Sequence, residues 1–97
     1  MPTHEELLSF WRDWDALTAE QQRQFRRAVA KFVEDLEQGR PFRRGLRVKG
    51  VQGTDGILEM TWAKDGRATF EYGPPVHGDE PHIVWRRIGT HRVFGTP

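Results

Sequence analysis

Apolar residues Leu7, Phe10, Trp11 and Trp14 recur about every 3.6 positions, the spacing that lines them along one side of a helix. Thr3 stands three residues ahead of Glu6 in the form of a capping box, so the pattern predicts a first helix over residues 4–16. Thr18 and Gln21 repeat that arrangement. Phe25, Val29, Phe32 and Leu36 then continue as a stripe that stops at Gly39, a residue suited to the left-handed position after a helix end. A second helix is expected over about 19–38. Only Leu17 and Thr18 separate the two, so they should form a helical hairpin whose stripes share one core.

Past Gly39 the period falls to two. Leu46-Arg47-Val48-Lys49-Gly50-Val51 alternates apolar and basic residues as a half-buried strand does. Ile57-Leu58-Glu59-Met60-Thr61-Trp62 and Arg67-Ala68-Thr69-Phe70-Glu71-Tyr72 predict two more strands, joined through Lys64-Asp65-Gly66, and Asp-Gly is a strong hairpin signal. Leu58, Met60 and Trp62 should share a face, as should Ala68, Phe70 and Tyr72, leaving Arg67, Thr69 and Glu71 on the other. Residues 73–81 hold three prolines and two glycines and read as a loop. Ile83-Val84-Trp85-Arg86-Arg87-Ile88 is the fourth strand, in which Arg86 and Arg87 should point to opposite faces. Two helices followed by consecutive strands predict an α+β fold, an N-terminal helical hairpin packed on a four-stranded antiparallel sheet.

The 97 residues suit one domain spanning 1–97. Charged residues make up 30% of the chain, so the core depends on its four Trp and six Phe rings pointing inward. Absence of cysteine rules out disulfides and thiolate zinc sites and fits a reducing compartment. No stretch approaches the roughly 18–20 apolar residues that span a bilayer, and Met1-Pro2-Thr3-His4-Glu5-Glu6 is unlike a signal peptide, so a soluble cytoplasmic protein without membrane contact is expected. The net charge of +1 hides an asymmetry: residues 1–39 carry five Lys/Arg against eight Asp/Glu, while residues 40–97 carry ten against six. Positive charge in the second part suits a polyanion or an acidic protein partner, or simply a solvated surface.

No GxxxxGK[ST], GxGxxG or GxSxG motif is present, so nucleotide-binding and serine-hydrolase readings lack their mechanical parts. His4, His77, His82 and His91 have neither helical i, i+4 spacing nor Cys companions, so neither a metal nor another cofactor is expected. His91 stands just past the last strand, between basic residues and Phe94. An imidazole there suits proton transfer beside an arginine able to stabilise a phosphate, although lone histidines more often pack than react. Arg67 opens a strand near Lys64 and can face the same surface as Lys49. It fits a phosphate with its fork of donors, or a cross-strand ion pair with Glu59 or Glu71.

The order Phe10-Trp11-Arg12-Asp13-Trp14, Leu46-Arg47-Val48-Lys49-Gly50, Gly56-Ile57-Leu58-Glu59-Met60, Gly66-Arg67-Ala68-Thr69-Phe70 and His82 through His91 resembles the RelE/ParE toxin superfamily. The resemblance covers about residues 10–94. Its leading motif, Ile88-Gly89-Thr90-His91 with a following aromatic, is similar to the ending of the YafQ/RelE-like mRNA interferases. It implies the toxin of a bacterial type II toxin-antitoxin pair, a ribosome-dependent, metal-independent endoribonuclease that drives a ribose 2′-OH onto the adjacent phosphate and so inhibits translation. Its partners would be messenger RNA on the ribosome and a cognate antitoxin. Position by position, Arg67 corresponds to the arginine steadying the phosphate, His91 to the proton-transfer histidine and Phe94 to the aromatic that holds a base. Lys49 matches a basic strand position facing RNA, and Lys64, Arg87 and Arg92 are the further RNA-binding candidates. The same scaffold also serves a non-catalytic protein bound to an antitoxin-like partner, or a ParE-like DNA gyrase inhibitor.

Overall fold

In a computed structural model, which describes residues 1–90 and 95–97, the alternating segments form a single sheet and the two 3.6-period segments form helices against it. The elements are β1 (Thr3–Glu6), α1 (Leu8–Asp15), α2 (Ala19–Glu37), β2 (Lys49–Gly50), β3 (Leu58–Thr61), β4 (Arg67–Gly73) and β5 (His82–Gly89). The sheet order is β1-β5-β4-β3-β2. The α+β architecture and the antiparallel run from β2 to β5 stand as the alternation predicts; the sheet gains a fifth strand, β1, parallel to β5.

That strand replaces the start of the predicted first helix. Thr3 does not cap: its N–H donates to the Pro81 carbonyl at 3.0 Å and its hydroxyl pairs with His82 Nδ1 at 2.7 Å. Four residues of register, Thr3 with His82 through Glu6 with Trp85, outweigh the roughly 1 kcal/mol that a local cap supplies to a short helix. The chain then keeps to the outer edge of β5 after β1 ends. Leu7 N–H donates to Trp85 O, Ser9 Oγ to Arg86 O, and Ile88 N–H donates to the Asp13 carboxylate at 3.1 Å. The helix thereby satisfies backbone groups that an exposed strand edge would leave open. At the second helix the expected cap is present in both directions, Gln21 N–H to Thr18 Oγ1 and Thr18 N–H to Gln21 Oε1.

One apolar cluster joins the helices to the sheet: Phe10, Phe25 and Phe32 meet Met60, Ala68, Phe70, Trp85 and Ile88. In the β3–β4 register Leu58 faces Phe70 and Met60 faces Ala68, so the predicted helix-side row is the observed one. Gly66 closes the hairpin for an unexpected reason: its φ is not positive, but a Cβ there would stand 2.5 Å from the Trp62 ring.

Two further expectations are corrected. The segment 46–51 is not a continuous strand, because Arg44–Leu46 forms a 3-10 turn and Arg47 follows in the left-handed region at φ 48°, leaving only Lys49 and Gly50 to pair with β3. On β5 the register slips, Thr69 pairing with Arg87 but Phe70 with Trp85, so Arg86 is the extra residue of a bulge. A bulge cancels one step of alternation. Arg86 and Arg87 therefore both reach the segment Thr96–Pro97 on the face away from the helices, instead of pointing apart.

Candidate nucleic-acid interface

The sheet face opposite the core carries the polar members of each strand. Across it the register lays Arg87, Thr69, Glu59 and Lys49 in one row from β5 to β2, with Arg67 and Thr61 paired in the row beside it. Neighbouring strands are about 4.8 Å apart, so the row spans roughly 14 Å, the length of two or three nucleotides of an extended strand.

Arg67 stands where two basic hollows meet. The first, about 560 Å³, lies over β2–β4 and is lined by Arg47, Lys49, Glu59, Thr61 and Arg67. The second, about 580 Å³, continues round the sheet end toward α2 and adds Arg27, Lys31, Arg43 and Lys64. Arg67 Nη1 donates to the carbonyls of Ala63, Lys64 and Gly66, at 2.9 Å for Gly66. Among the described residues it forms no ion pair, neither with Glu59 nor with Glu71, and its Nε and Nη2 make no hydrogen bond. A guanidinium held by its own turn with donors to spare can accept a phosphate bidentately.

The other candidates fall into different settings. Lys49 is exposed, its Nζ 3.5 Å from Glu59 Oε1. Lys64 lies in the hairpin loop beside the second hollow. Arg87 is already engaged: Nε donates to Asp13 Oδ2 at 2.6 Å and Nη1 to Thr96, and the Asp13 hydrogen bond holds its pKa above the ordinary arginine value. His91, Arg92 and Phe94 lie outside the described residues. Arg47 was not singled out from the sequence, yet it lines both hollows, and its left-handed backbone is a strained conformation that turn geometry imposes.

The segment leading to Arg47 is fastened by a buried carboxylate. Asp35, 1% exposed on α2, accepts from Arg43 N, Nε and Nη2 and from Arg40 Nε, all at 2.8–2.9 Å. The Arg43 hydrogen bonds, with Arg40 adding to them, hold the Asp35 carboxyl well below the usual carboxylate range. The folded carboxyl thus binds its proton more weakly than the unfolded one. The resulting stability is complete above the unfolded carboxylate value near 3.9 and fades as pH falls from there toward the folded value. Asp35→Asn should lower Tm by about 10 °C at neutral pH, because it removes the buried charge on which four hydrogen bonds from the partly exposed Arg40 and Arg43 converge. Melting curves from pH 7 down to 2 should show the gap to wild type closing in acid; a constant gap would contradict the ion-pair account.

A third hollow, about 320 Å³ and apolar, opens between β1, α1 and α2, walled by Phe10, Trp11, Trp14, Val29 and Val33. Trp11 is 45% exposed at its rim, and the Arg26 guanidinium lies 5.1 Å over the Trp14 ring. Among the described residues no three acidic or histidine side chains converge as metal ligands do, and no helix is long and apolar enough to cross a membrane.

Solved structures share this arrangement of strands and helices. The Escherichia coli DinJ-YafQ toxin-antitoxin complex matches over 95% of this chain and 94% of that chain, at 15% identity and a TM-score of 0.65. The RelB-RelE antitoxin-toxin complex of Methanococcus jannaschii matches over 95% and 98%, at 15% identity and 0.60. A YoeB/ParE toxin from Agrobacterium tumefaciens matches over 92% and 98%, at 18% identity and 0.58. The chain has the fold that these toxin structures share. No family model and no curated protein sequence matches the chain.

Proposed function

We propose that this protein is the toxin of a toxin-antitoxin pair, residues 1–97 forming one toxin domain, and that it cleaves messenger RNA on the ribosome in the cytoplasm. The observation that carries the reading is Arg67: an arginine whose Nε and Nη2 are uncommitted among the described residues, at the junction of two basic hollows, on a fold shared with such toxins. Single-stranded RNA needs a cationic track with hydrogen-bonding groups along it, and Arg47, Lys49, Lys64 and Arg67 supply one. Arg67 holds the scissile phosphate, His91 transfers a proton and Phe94 stacks on a base, with Arg92 adding charge. Arg87, paired with Asp13, supports the far end of the row.

The 2′-OH attack requires only that the ribose oxygen, the phosphorus and the leaving oxygen be aligned and the developing charge be met by fixed donors, which a rigid sheet provides without a metal. Neutralisation by an antitoxin uses the apolar hollow beside β1, where Trp11 and Trp14 offer rings to a segment that folds on binding; the DinJ-YafQ and RelB-RelE structures are complexes of this kind.

Purified protein added to translating ribosomes, with messenger breaks mapped by primer extension, tests the reading. Breaks should be present with wild type and absent with the antitoxin bound. If His91→Ala leaves the same breaks, the histidine has no part in them. Growth arrest with intact messenger and damaged DNA would replace cleavage by gyrase inhibition, and no arrest at all would leave a binding protein.

A further inference from the structure

We propose that the second hollow, enclosed by α2, the turn at Arg44–Leu46 and the β3–β4 hairpin, is a binding site for an oligophosphate, a short chain of linked phosphate groups. α2 presents Gln24, Arg27 and Lys31 to it at i, i+3 and i+7, the face beside the stripe of Phe25 and Phe32. The turn adds Arg47, and the hairpin adds Lys64 and Arg67. Among the described residues no Asp or Glu lines this hollow. Arg27 is drawn to Glu20 at 3.2 Å, and Arg43 is tied to Asp35 and Glu34. Lys31, Arg47, Lys64 and Arg67 have no acidic partner among the described residues. Cations gathered without counter-charge repel one another, and an anion placed among them removes that cost.

Trp62 points to a ligand independently of charge. It walls the same hollow, is 7% exposed, and its indole Nε1–H has no hydrogen-bond acceptor among the described residues. A buried donor left unpaired costs stability, and nearly all such groups in folded proteins find a partner. The ring is held where it stands, edge-on to Phe25 at 6.4 Å and flat enough on Gly66 that no Cβ fits between them. Phosphate oxygens accept hydrogen bonds, so the ligand that neutralises the cations also offers the acceptor that this donor lacks. Gln24 and Thr61 add neutral donors. Lys31, Arg47 and Lys64 stand on three different elements, a spread that suits several phosphates in a row, and the volume of about 580 Å³ is that of a small-molecule site. A strand of RNA fits less well, since its bases need open aromatic faces and the one aromatic residue lining the hollow is buried. Arg47 and Arg67 also line the hollow over β2–β4, so an occupant here contests them with messenger; that consequence alone rests on the proposed cleavage.

Calorimetric titration of the purified protein with inorganic tripolyphosphate tests the site without reference to cleavage. Lys31→Gln and Arg47→Gln should each weaken binding by about 10-fold, the loss of one charge-assisted contact. Trp62→Phe keeps a ring against Gly66 and removes the N–H. The rise in Tm that tripolyphosphate gives wild type should shrink in this variant, which a purely structural Trp62 would not bring about. Arg12→Gln, which takes an equal charge from an exposed position on α1, should bind like wild type. Adenosine triphosphate identifies the source of the phosphates: affinity no greater than that of tripolyphosphate assigns the site to the inorganic chain, and greater affinity assigns it to a nucleotide that carries one. The assignment is overturned if wild type binds no tripolyphosphate, or if Lys31→Gln and Arg47→Gln both bind it unchanged. It is equally overturned if Arg12→Gln loses as much affinity as they do, or if inorganic monophosphate or an oligoglutamate peptide binds as tightly as tripolyphosphate.

Discussion

Arg67→Ala is expected to slow messenger cleavage by about 10³-fold with little change in stability, the upper end of what loss of one preorganised charge-stabilising group costs. Its effect on the fold should be small because among the described residues the guanidinium bonds only to carbonyls of its own hairpin, two of the three at 3.4 Å, and such bonds contribute about 1 kcal/mol or less. Its effect on chemistry should be large because neither lysine beside it can substitute. Lys49 is drawn toward Glu59, and Lys64 is a point charge on a flexible stem in the loop. Arg67→Lys should recover part of the loss, since it keeps the charge and gives up the fork. Rates measured at saturating ribosomes, with ribosome affinity measured separately, locate the effect. A variant that binds and cleaves like wild type would take the phosphate site away from this arginine.

Most of the scaffold was legible in the chain because most of it is specified locally. The α2 stripe with its Thr18–Gln21 box, the β3–β4 alternation and the Asp65-Gly66 hairpin each carry period and punctuation within about 20 residues, and all stand in the structure. What was hidden depends on distant partners. Thr3-His4-Glu5-Glu6 reads as a helix start, and only β5, nearly 80 residues later, makes it a strand. The bulge that brings Arg86 and Arg87 to one face is likewise a property of β5 against β4 and has no period of its own.

At the site, alternation put Arg67 on the correct face and left two readings for it. Among the described residues the ion pairs that would have absorbed its charge are absent. Arg47 escaped notice, and Glu59 was named only as a pairing partner for Arg67, for opposite reasons. Arg47 looked like one more polar strand position until the 3-10 turn before it forced a left-handed backbone, and Glu59 looked exposed because hydropathy assumes that a carboxylate faces water. A buried acid in a basic hollow shows itself only when strands are set side by side.

The second large effect falls on the core. Phe32→Ala should destabilise the protein by about 3–5 kcal/mol, the range for deleting a buried phenyl ring and leaving a cavity. Phe32 is 1% exposed and is the ring on which α2, β4, β5 and the loop after α2 meet. It stacks on Phe42 at 4.6 Å, meets Phe70 of β4 edge-on at 5.1 Å and packs on Trp85 of β5 at 5.4 Å. Pairs of this kind add about 0.5–1.5 kcal/mol beyond the area they bury, so the cavity costs contact energy as well as transfer energy. The neighbours cannot close in, because Trp85 is held by its β1 and β4 ladders and Phe70 by β3 and β5. For a chain of this length, with about 4–8 °C of Tm per kcal/mol, the loss corresponds to roughly 20 °C, a large part of the margin of an ordinary domain. Phe32→Leu, which refills most of the volume, should recover more than half of it. Thermal melts followed by circular dichroism decide the matter. A shift under about 5 °C for Phe32→Ala would show that the helices are joined to the sheet elsewhere, for example through Phe10 and Phe25, whose rings also reach Trp85.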